Sequence, residues 1–341
     1  MVSITDVAKY AGVSKSTVSR VLNGKVHVNK ETERKVLDAI DLLGYSPNAA
    51  ARTLSTKKTN SIGVVLERLH DPIFAELIQG IGEQGGKDNY YVIYSDAQGM
   101  LDEKNKYIEF LTHGRVDGVL IFGSYLTDKA LIKKLSDRNF PFVLIENEFD
   151  DVPTNSILID NVGGAQKGVN HLLELGHKKI GHITGNMNTK AALDRLNGFI
   201  LAMQGKQLII EGEHIAYNYS KKRFEDGYRS MTQLLNASER PTAVFISDQI
   251  RSYGAIQAIY DKGLTVPNDI AVVGFDDQKF YDKQYNGPAL TTISQPFFDI
   301  GKESVRVLID EIEERNENLV KKTFDTELII RQSCGAKQKV K

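Results

Sequence analysis

The stretch Ile4–Asn23, ITDVAKYAGVSKSTVSRVLN, decides how the N-terminal part of the chain folds. It begins with an apolar stripe at helical spacing, formed by Val7, Ala8 and Ala11. This stripe predicts a short first helix, and Thr5 or Asp6 can serve as its N-terminal cap. Gly12 breaks the helix, so a tight turn is expected to follow it.

Ser14 is a favoured N-cap and predicts a second helix, Lys15–Leu22. Its apolar residues Val18, Val21 and Leu22 share one helical face. Two short helices joined by a glycine-containing turn make a helix-turn-helix, although a two-helix corner of an all-α core has the same spacing. The other face carries Lys15, Ser16, Thr17, Ser19 and Arg20. Such side chains can contact base edges and phosphates in a major groove.

Over about fifty residues, the N-terminus resembles the DNA-binding region of the LacI/GalR family of bacterial repressors. The resemblance lies in DVAKYAGVS, TVSRVLN and GYSPNAAARTL. It implies a helix-turn-helix headpiece at 1–46, a hinge helix and linker at 47–59, and an effector-binding and dimerisation domain at 60–335 with a tail at 336–341. The predicted DNA-binding residues are Thr5, Ser14, Lys15, Ser16, Thr17, Arg20, Asn23, Asn48, Ala51, Leu54 and Lys58.

In that family the hinge helix folds only on operator DNA, pairs with its dimer mate and pushes a leucine into the minor groove. Leu54 stands at the corresponding place here. An apolar wedge kinks the duplex, which gives a reason for a leucine in a basic linker. The segment Asn48–Ser55 is too short to persist as an isolated helix, and a flexible linker is the alternative.

Composition and charge fit a DNA-binding protein of two or three domains. The 341 residues are 41% hydrophobic, and Cys334 is the single cysteine, which excludes an internal disulfide framework. No apolar run approaches the ~18–20 residues of a membrane span, and MVSITD has no signal-like pattern, so a cytoplasmic location is expected. Residues 1–59 carry ten Lys/Arg and five acids, which makes them +5 on a chain of net charge −1. A basic end on an acidic body is typical of a nucleic-acid binder.

From Asn60 onward, apolar strand-like runs alternate with amphipathic helices, and the alternation restarts once. The first set of predicted strands is Ser61–Leu66, Tyr91–Ser95, Val116–Gly123, Phe142–Glu146 and Ser156–Asp160. The second set is Lys179–Thr184, His214–Tyr217, Ala243–Ser247 and Ile270–Phe275. This pattern predicts an α/β body of two doubly wound, parallel-sheet subdomains behind the small all-α headpiece.

The family resemblance adds the connectivity of a type I periplasmic binding protein, whose ligands lie between the two sheets. It implies that the chain crosses between subdomains near Asp160, Leu290 and Val320. Subdomain one would then be 60–160 plus 291–320, and subdomain two 161–290 plus 321–335.

Residues that follow the predicted strands are candidates for the effector site, because the carboxyl ends of parallel strands face the cleft. The candidates are Ile73, Phe74, Glu146, Arg195, Tyr219, Ser247 and Asp276. The family's effector positions correspond to five of them, Phe74, Arg195, Tyr219, Ser247 and Asp276, although sugar-responsive members carry Asn in place of Ser247. Carboxylates and an arginine bind hydroxyls, and an aromatic ring covers the apolar face of a sugar.

The sequence therefore predicts a repressor whose operator affinity is switched by a small effector, with a sugar as the first expectation. Two alternatives use the same scaffold: a purine effector, or a phosphorylated carrier protein docking on the body. A sugar-binding protein without DNA activity would not carry Ile4–Asn23. Near-palindromic operators require a homodimer, and the C-terminal tail lacks the leucine heptads of tetrameric relatives.

No catalytic or metal-binding pattern accompanies these features. The chain has no GxSxG, GxxxxGK[ST] or HExxH motif and no cysteine nucleophile with a nearby histidine. The seven histidines are scattered, without metal-ligand spacing apart from the weak pair His177 and His182. The expectation is a protein that is not an enzyme and holds no cofactor.

Overall fold

The structure, a computed structural model, describes residues 2–22, 28–45, 58–123, 125–220, 222–278, 287–315 and 318–336. The chain forms two compact units, 1–59 and 60–341, which we describe separately.

The first unit contains three helices, α1 (Ile4–Ala11), α2 (Lys15–Leu22) and α3 (Lys30–Leu43). The predicted cap of α1 was wrong, because Ser3 occupies the N-cap position and Asp6 lies inside the helix. The Ser3 backbone N–H donates to Asp6 Oδ2 at 2.9 Å and the Asp6 N–H donates to Ser3 Oγ at 3.4 Å, a reciprocal capping box. Ser14 caps α2 as predicted, since its Oγ accepts from the Thr17 N–H at 3.1 Å.

A small apolar core holds these helices together. Its fully buried members are Val7, Ala8, Val18, Val36 and Ala39. Because the apolar face of α2 points into this core, Lys15, Ser16 and Arg20 on its other face are exposed. Few buried side chains support the unit, so its folding is marginal compared with that of the larger one.

The second unit is built on two six-stranded sheets. The strands are β1 (Ser61–Leu66), β2 (Tyr91–Asp96), β3 (Gly118–Phe122), β4 (Phe142–Ile145), β5 (Asn155–Ile159), β6 (Ile180–Ile183), β7 (Ile215–Ala216), β8 (Ala243–Ile246), β9 (Ala271–Phe275), β10 (Thr291–Ser294), β11 (Lys321–Phe324) and β12 (Glu327–Ile329). The first sheet has the order β11-β5-β4-β3-β1-β2 and the second the order β12-β10-β9-β8-β6-β7. All neighbours pair in parallel except β10 and β12.

Helices cover both faces of each sheet. They are α4 (Phe74–Lys87), α5 (Leu101–Thr112), α6 (Lys129–Asp137), α7 (Asn161–Glu174), α8 (Lys190–Gly205), α9 (Arg223–Leu235), α10 (Gln249–Asp261) and α11 (Phe297–Ile312). Each sheet with its helices is here called a lobe, and the predicted fold class is confirmed. Within the described residues, no helix has the length and apolar character needed to cross a membrane.

Two of the three predicted crossings between lobes lie later in the chain than expected. Thr291–Ser294 was assigned to subdomain one, but it is β10 and pairs with β9 of the second sheet. Lys321–Phe324 was assigned to subdomain two, but it is β11 and pairs with β5 of the first sheet. The chain therefore crosses between the lobes near 160, near 295 and near 325. The last two crossings come later than predicted because β10 and β11 each pair with a neighbour in the sheet that the chain is about to leave.

In the second lobe, α9 and α10 pack unusually close together, and this packing positions two arginines that line the space between the lobes. A Cβ built on Gly254 of α10 would lie 1.9 Å from the carbonyl oxygen of Phe224 in α9. Only glycine permits this approach. The crossing places Arg223 at the start of α9 and Arg251 in the first turn of α10.

Candidate functional site

A cleft whose volume, counted out to the solvent at its mouth, is about 850 Å³ lies between the lobes at the carboxyl ends of the strands. All seven side chains predicted for the effector site line it: Ile73, Phe74, Glu146, Arg195, Tyr219, Ser247 and Asp276. The seven residues chosen from the sequence therefore lie close together in the folded chain.

Arg195 of α8 is the central cation of the cleft and is 7% exposed. Its Nε donates to Asn161 Oδ1 at 2.8 Å and its Nη1 donates to the Ser247 carbonyl oxygen at 2.6 Å. The guanidinium also stacks on the ring of Phe275, with Cζ 3.7 Å from the ring centroid. These contacts hold the guanidinium in one orientation.

Two carboxylates flank this guanidinium, one from each lobe. Glu146 Oε1 lies 3.5 Å from Arg195 Nη2, and Asp276 Oδ1 lies 3.6 Å from Nη1. Both distances exceed a direct hydrogen bond, so the pairs are electrostatic. Burial raises the pKa of Glu146, and burial raises the pKa of Asp276 to about 7 although Arg195 acts against the shift.

Gln295 bridges Arg195 and Asp276 from the segment that crosses between the lobes. With its amide oriented to suit both neighbours, its oxygen accepts from Arg195 Nη2 at 3.1 Å and its nitrogen donates to Asp276 Oδ1 at 3.0 Å. Gln295 is 5% exposed. The bridge couples the crossing segment directly to the charged centre of the cleft.

Several contacts tie the two lobes across the rims of the cleft. Asp71 of the first lobe forms an ion pair with Arg223 of the second. On the other side, the Leu126 N–H donates to the Asn188 carbonyl oxygen at 2.9 Å, and Tyr125 forms a β-bridge with Thr189. Together with the Glu146–Arg195 pair, these contacts hold the lobes in a closed arrangement.

A second group of charges lies on the α9 and α10 side of the cleft. Asp248 forms a buried ion pair with Arg251, and Arg251 Nη2 is 3.6 Å from Asp226. Although burial alone would raise it, the pKa of Asp248 is lowered by Arg251 and Arg223. The group keeps Asp248 ionised at the wall of the cleft.

Aromatic rings form the apolar part of the cleft wall. Phe74 meets Phe122 edge to face, with ring centroids 4.9 Å apart, and Phe297 lies 6.1 Å beyond Phe122. All three rings are at least nine-tenths buried. Tyr219, by contrast, is 43% exposed and lines the cleft from the second lobe.

Three buried polar groups in the cleft wall have no hydrogen-bond partner among the described residues. They are Glu67 Oε1, Ser247 Oγ, and Nε and Nη2 of Arg251. Buried polar atoms are normally paired, so each unpaired one needs an explanation. The set offers a ligand both acceptors and donors.

Sequence reasoning missed several charged residues of the cleft. Glu67 directly follows β1, so the rule that selected Glu146 and Asp276 also applies to it. Asp71, Arg223 and Arg251 belong to a loop or to helix starts, and no local pattern distinguishes them. Only the folded arrangement brings them to the cleft.

The headpiece presents a separate candidate surface. Thr5, Ser14, Lys15, Ser16 and Arg20 are exposed, and Thr17 is half-buried, with its Oγ1 2.8 Å from Ser14 Oγ. Lys58 is also exposed, at the end of the first unit. The other predicted DNA-binding residues, Asn23, Asn48, Ala51 and Leu54, lie outside the described residues, as does most of the hinge segment. The exposed face of α2 carries the residues expected of a reading helix.

No cluster of three or more His, Cys, Asp or Glu side chains in the described ranges is placed to hold a metal ion. His182 is fully buried between the rings of Phe199 and Phe245, and burial lowers its pKa to about 4. His177 Nδ1 forms a hydrogen bond of 2.9 Å with Thr242 Oγ1.

Comparison with known families gives two matches. The profile described as "Bacterial regulatory proteins, lacI family" matches residues 3–48. The profile described as "Periplasmic binding protein-like domain" matches residues 169–334. The "HTH-type transcriptional repressor PurR" of Mannheimia succiniciproducens is 37% identical over 333 residues, which cover 98% of each chain.

Solved structures of transcriptional regulators resemble this chain over nearly its whole length. The lac repressor dimer bound to operator and the anti-inducer ONPF superposes with a TM-score of 0.85 at 29% identity, covering 98% of this chain and 99% of that one. A complex of the transcriptional regulator CelR with cellobiose has a TM-score of 0.73 at 26% identity, covering 98% and 100%.

Proposed function

Because this chain belongs to the lacI family of bacterial regulatory proteins, we propose that the cleft between its lobes holds a regulatory effector and that this effector is a sugar. The chain is a DNA-binding transcriptional repressor whose operator affinity is switched by a small effector. The class of effector, the contacts on DNA and the assembly are our proposals.

The composition of the cleft wall supports a sugar. Besides buried carboxylates and guanidinium groups it contains polar atoms that have no hydrogen-bond partner within the described part of the chain, at Glu67, Ser247 and Arg251. A hydroxyl group donates and accepts at once, so a polyhydroxylated ring can satisfy such a mixed set. The rings of Phe74 and Phe122 can cover its apolar face.

A purine is the second candidate, and the name PurR carried by relatives of full length is the observation that favours it. A flat heterocycle would need in-plane donors and acceptors together with an aromatic face. The described cleft offers the aromatic faces, but most of the buried polar side chains that line it are carboxylates and guanidinium groups, among them Asp248, Asp276 and Arg195. We therefore rank the purine below the sugar.

For DNA binding, we propose that α2 enters the major groove with Lys15, Ser16 and Arg20 towards the bases. Lys58 would contact phosphate, and Asn48–Ser55 would fold on DNA with Leu54 as the wedge. A homodimer would present two such helices to a near-palindromic operator. We place this repressor in the cytoplasm and assign it no catalytic role.

Coupling between the two sites follows from the contacts that cross the cleft. An effector that touches Glu146 of one lobe and Arg195 or Asp276 of the other binds one lobe arrangement better than another. Differential affinity of this kind is what shifts a conformational equilibrium. The closed arrangement, with its Asp71–Arg223 pair, is one of the two states.

The test is fluorescence anisotropy of labelled DNA from around the protein's own gene, titrated with protein in the presence of sugars and, separately, of purine bases. A sugar that changes operator affinity at least tenfold supports the proposal, whether it weakens or strengthens binding. A purine that does so while every sugar fails overturns it. If neither class acts, the sugar proposal also fails, and the remaining expectation is a phosphorylated carrier protein.

A further inference from the structure

At one rim of the cleft, the two lobes meet through backbone contacts. The Leu126 N–H donates to the Asn188 carbonyl oxygen at 2.9 Å, and Tyr125 forms an antiparallel β-bridge with Thr189. We call Tyr125–Asp128, which immediately precedes α6, the latch segment. Because these contacts use the backbone, they depend on where the latch segment is held and little on its exposed side chains.

The latch segment is held from inside the first lobe by a buried ion pair. Lys104 of α5 donates from Nζ to Asp128 Oδ2 at 2.6 Å, and the two side chains are 2% and 0% exposed. The same oxygen of Asp128 accepts from the Tyr125 N–H at 2.9 Å. Lys104 Nζ also lies 5.8 Å from the centroid of the Tyr125 ring and donates to the Gly123 carbonyl oxygen at 3.4 Å. One buried cation therefore contacts both ends of the latch segment.

Stability alone is a weak reason for burying this ion pair. Both charges lose their hydration, so apolar side chains of similar size would stabilise the lobe as well or better. What the pair supplies is direction, because the carboxylate of Asp128 accepts from Lys104 and from the Tyr125 backbone at once. These contacts fix the backbone at the start of the latch segment.

On the second lobe, the latch segment contacts the start of α8. Thr189 is the N-cap of this helix, and its Oγ1 accepts from the Ala192 N–H at 3.4 Å. The Asn186 carbonyl oxygen accepts from the N–H and from the Oγ1 of Thr189, at 2.9 and 2.7 Å. From Thr189 to Arg195 the chain rises by roughly 9 Å along the helix, at ~1.5 Å per residue. The first lobe thus docks on the end of the helix that carries the central cation of the cleft.

We propose that Lys104 is a positioning residue for closure of the lobes, because through Asp128 it holds the latch segment where it docks on α8. Neither Lys104 nor Asp128 lines the cleft, so this role is separate from effector contact and does not depend on the class of effector. It rests on the coupling between lobe arrangement and operator affinity proposed above. Through that coupling, a side chain buried inside one lobe influences DNA binding.

The test is hydrogen–deuterium exchange of the effector-free full chain, followed in peptides that cover the latch segment. The variant is Lys104→Met combined with Asp128→Asn, in which the asparagine oxygen can still accept from the Tyr125 N–H while the cation is absent. Exchange of the Leu126 amide should become at least tenfold faster, because its bond to the second lobe opens more often. Exchange of β1 and β4 in the same lobe should stay as it is.

The matched control is Lys134→Met combined with Glu109→Gln. This change removes an exposed ion pair of 3.0 Å between the same two helices, α5 and α6. It should alter neither the exchange of the latch segment nor the affinity for labelled DNA from around the protein's own gene. In the Lys104→Met, Asp128→Asn variant, by contrast, that affinity should change at least fivefold without effector.

Melting temperatures separate positioning from general stability. Lys104→Met alone leaves the buried carboxylate of Asp128 unpaired and should lower the melting temperature strongly. Adding Asp128→Asn should restore most of the melting temperature, while exchange of the latch segment stays fast. If the added change restored slow exchange together with the melting temperature, Lys104 would only stabilise the lobe, and the proposal would be wrong.

Leu126→Pro tests the docking contact without altering the buried pair. Proline lacks the N–H that donates to Asn188, and it suits the first position of the short helical turn that begins at this residue. Affinity for DNA should change in the same direction as in the Lys104→Met, Asp128→Asn variant. If that double variant does not fold, Leu126→Pro decides, and an unaltered affinity for DNA would overturn the proposal.

The two readouts distinguish failure of this inference from failure of the proposed coupling. Exchange of the latch segment at its original rate in the double variant would refute the role of Lys104. Faster exchange with unaltered affinity for DNA would leave Lys104 as the residue that positions the latch segment. It would refute the coupling between lobe arrangement and operator affinity.

Discussion

Glu146 and Asp276 occupy corresponding positions in different lobes, and the Arg195 guanidinium lies between their carboxylates. Each directly follows a strand and each has a left-handed backbone, with φ of +66° and +73°. For residues other than glycine this conformation costs roughly 1 kcal/mol, and such strain is concentrated at functional sites. Each lobe thus turns its chain sharply to aim one carboxylate at a shared cation.

The first prediction concerns the carboxylate of Asp276. Asp276→Asn keeps the size of the side chain, and asparagine tolerates a left-handed backbone, so the fold should be retained. Loss of the charged acceptor should lower effector affinity about 10- to 100-fold, as measured by calorimetry. Asp137→Asn, on the exposed last residue of α6, is the matched control. An unchanged affinity in Asp276→Asn would remove Asp276 from the binding site.

Effector affinity should also depend on pH around neutrality. Burial raises the pKa of Asp276 to about 7 in the presence of Arg195, Asp248, Arg223 and Glu146. Ligand hydroxyls donate to the ionised carboxylate. Below the pKa, the carboxyl group of Asp276 is protonated and must lose its proton before the ligand can bind. Affinity should therefore rise about tenfold from pH 6 to pH 8 and level off above.

Calorimetric titrations at half-unit pH intervals would test this dependence. Glu67, whose pKa burial also raises to about 7, adds a second dependence of the same sign for a ligand that reaches it. The Asp276→Asn variant should show a flatter profile than the unmodified protein. A profile that falls with rising pH, or one that Asp276→Asn leaves unaltered, would contradict the assignment.

The ion pair between Asp71 and Arg223 should bias the lobes towards closure. Asp71→Asn removes the charge while the amide oxygen can still accept from the Ile73 N–H. Without the pair, the closed state should lose stability, and the radius of gyration of the effector-free protein should increase in small-angle X-ray scattering. Operator affinity without effector should change roughly tenfold.

The control for this prediction is Asp151→Asn, which breaks the exposed pair with Lys129 inside one lobe. It should leave both the radius of gyration and operator affinity unaltered. Identical scattering from Asp71→Asn and the unmodified chain would show that the pair does not hold the lobes together.

The capping box of α1 should contribute measurably to the stability of the headpiece. Ser3→Ala removes the side-chain acceptor and should destabilise α1 by about 1 kcal/mol. Hydrogen exchange of the α1 amides should accelerate about fivefold. Thr5→Ala is the informative control, because the sequence pattern offered Thr5 or Asp6 as the cap, whereas in the structure Ser3 is the N-cap. A larger effect from Thr5→Ala than from Ser3→Ala would restore the original assignment.

The headpiece residues should separate sequence reading from general DNA binding. Arg20→Ala should reduce discrimination between operator and random DNA by about 1–3 kcal/mol, because Arg20 is proposed to contact base edges. Lys58→Ala should weaken binding to all DNA and lower the slope of log affinity against log salt by about one. Salt titrations of both variants on both DNAs test this, and interchanged effects would interchange the two roles.

Local sequence chemistry predicted most of the fold because each element carries its own signal. The helix Lys15–Leu22 and the strand Ser61–Leu66 were predicted with the bounds that the structure gives them. The crossings at 295 and 325 were misplaced because β10 and β11 are short, and only pairing with β9 and β5 decides which sheet takes them. Such pairing is a long-range property that no local pattern encodes.

The candidate site was predicted where strands end and missed where helices begin. Asp276 and Ser247 could be named because parallel strands deliver their ends to the same edge. Arg223 reaches the cleft only because Gly254 lets α9 cross α10 closely, a contact between distant parts of the chain. Predicting it requires the folded geometry and not the sequence pattern alone.

The threefold crossing of the chain between the lobes also restricts how such a protein can diversify. Neither lobe is a continuous gene segment, because α11 and β11 complete the first lobe after the chain has already built most of the second. Exchange of one lobe between relatives would need three matched recombination joints, near 160, 295 and 325. New effector preferences are therefore more accessible through point substitutions in the cleft wall than through shuffling of whole lobes.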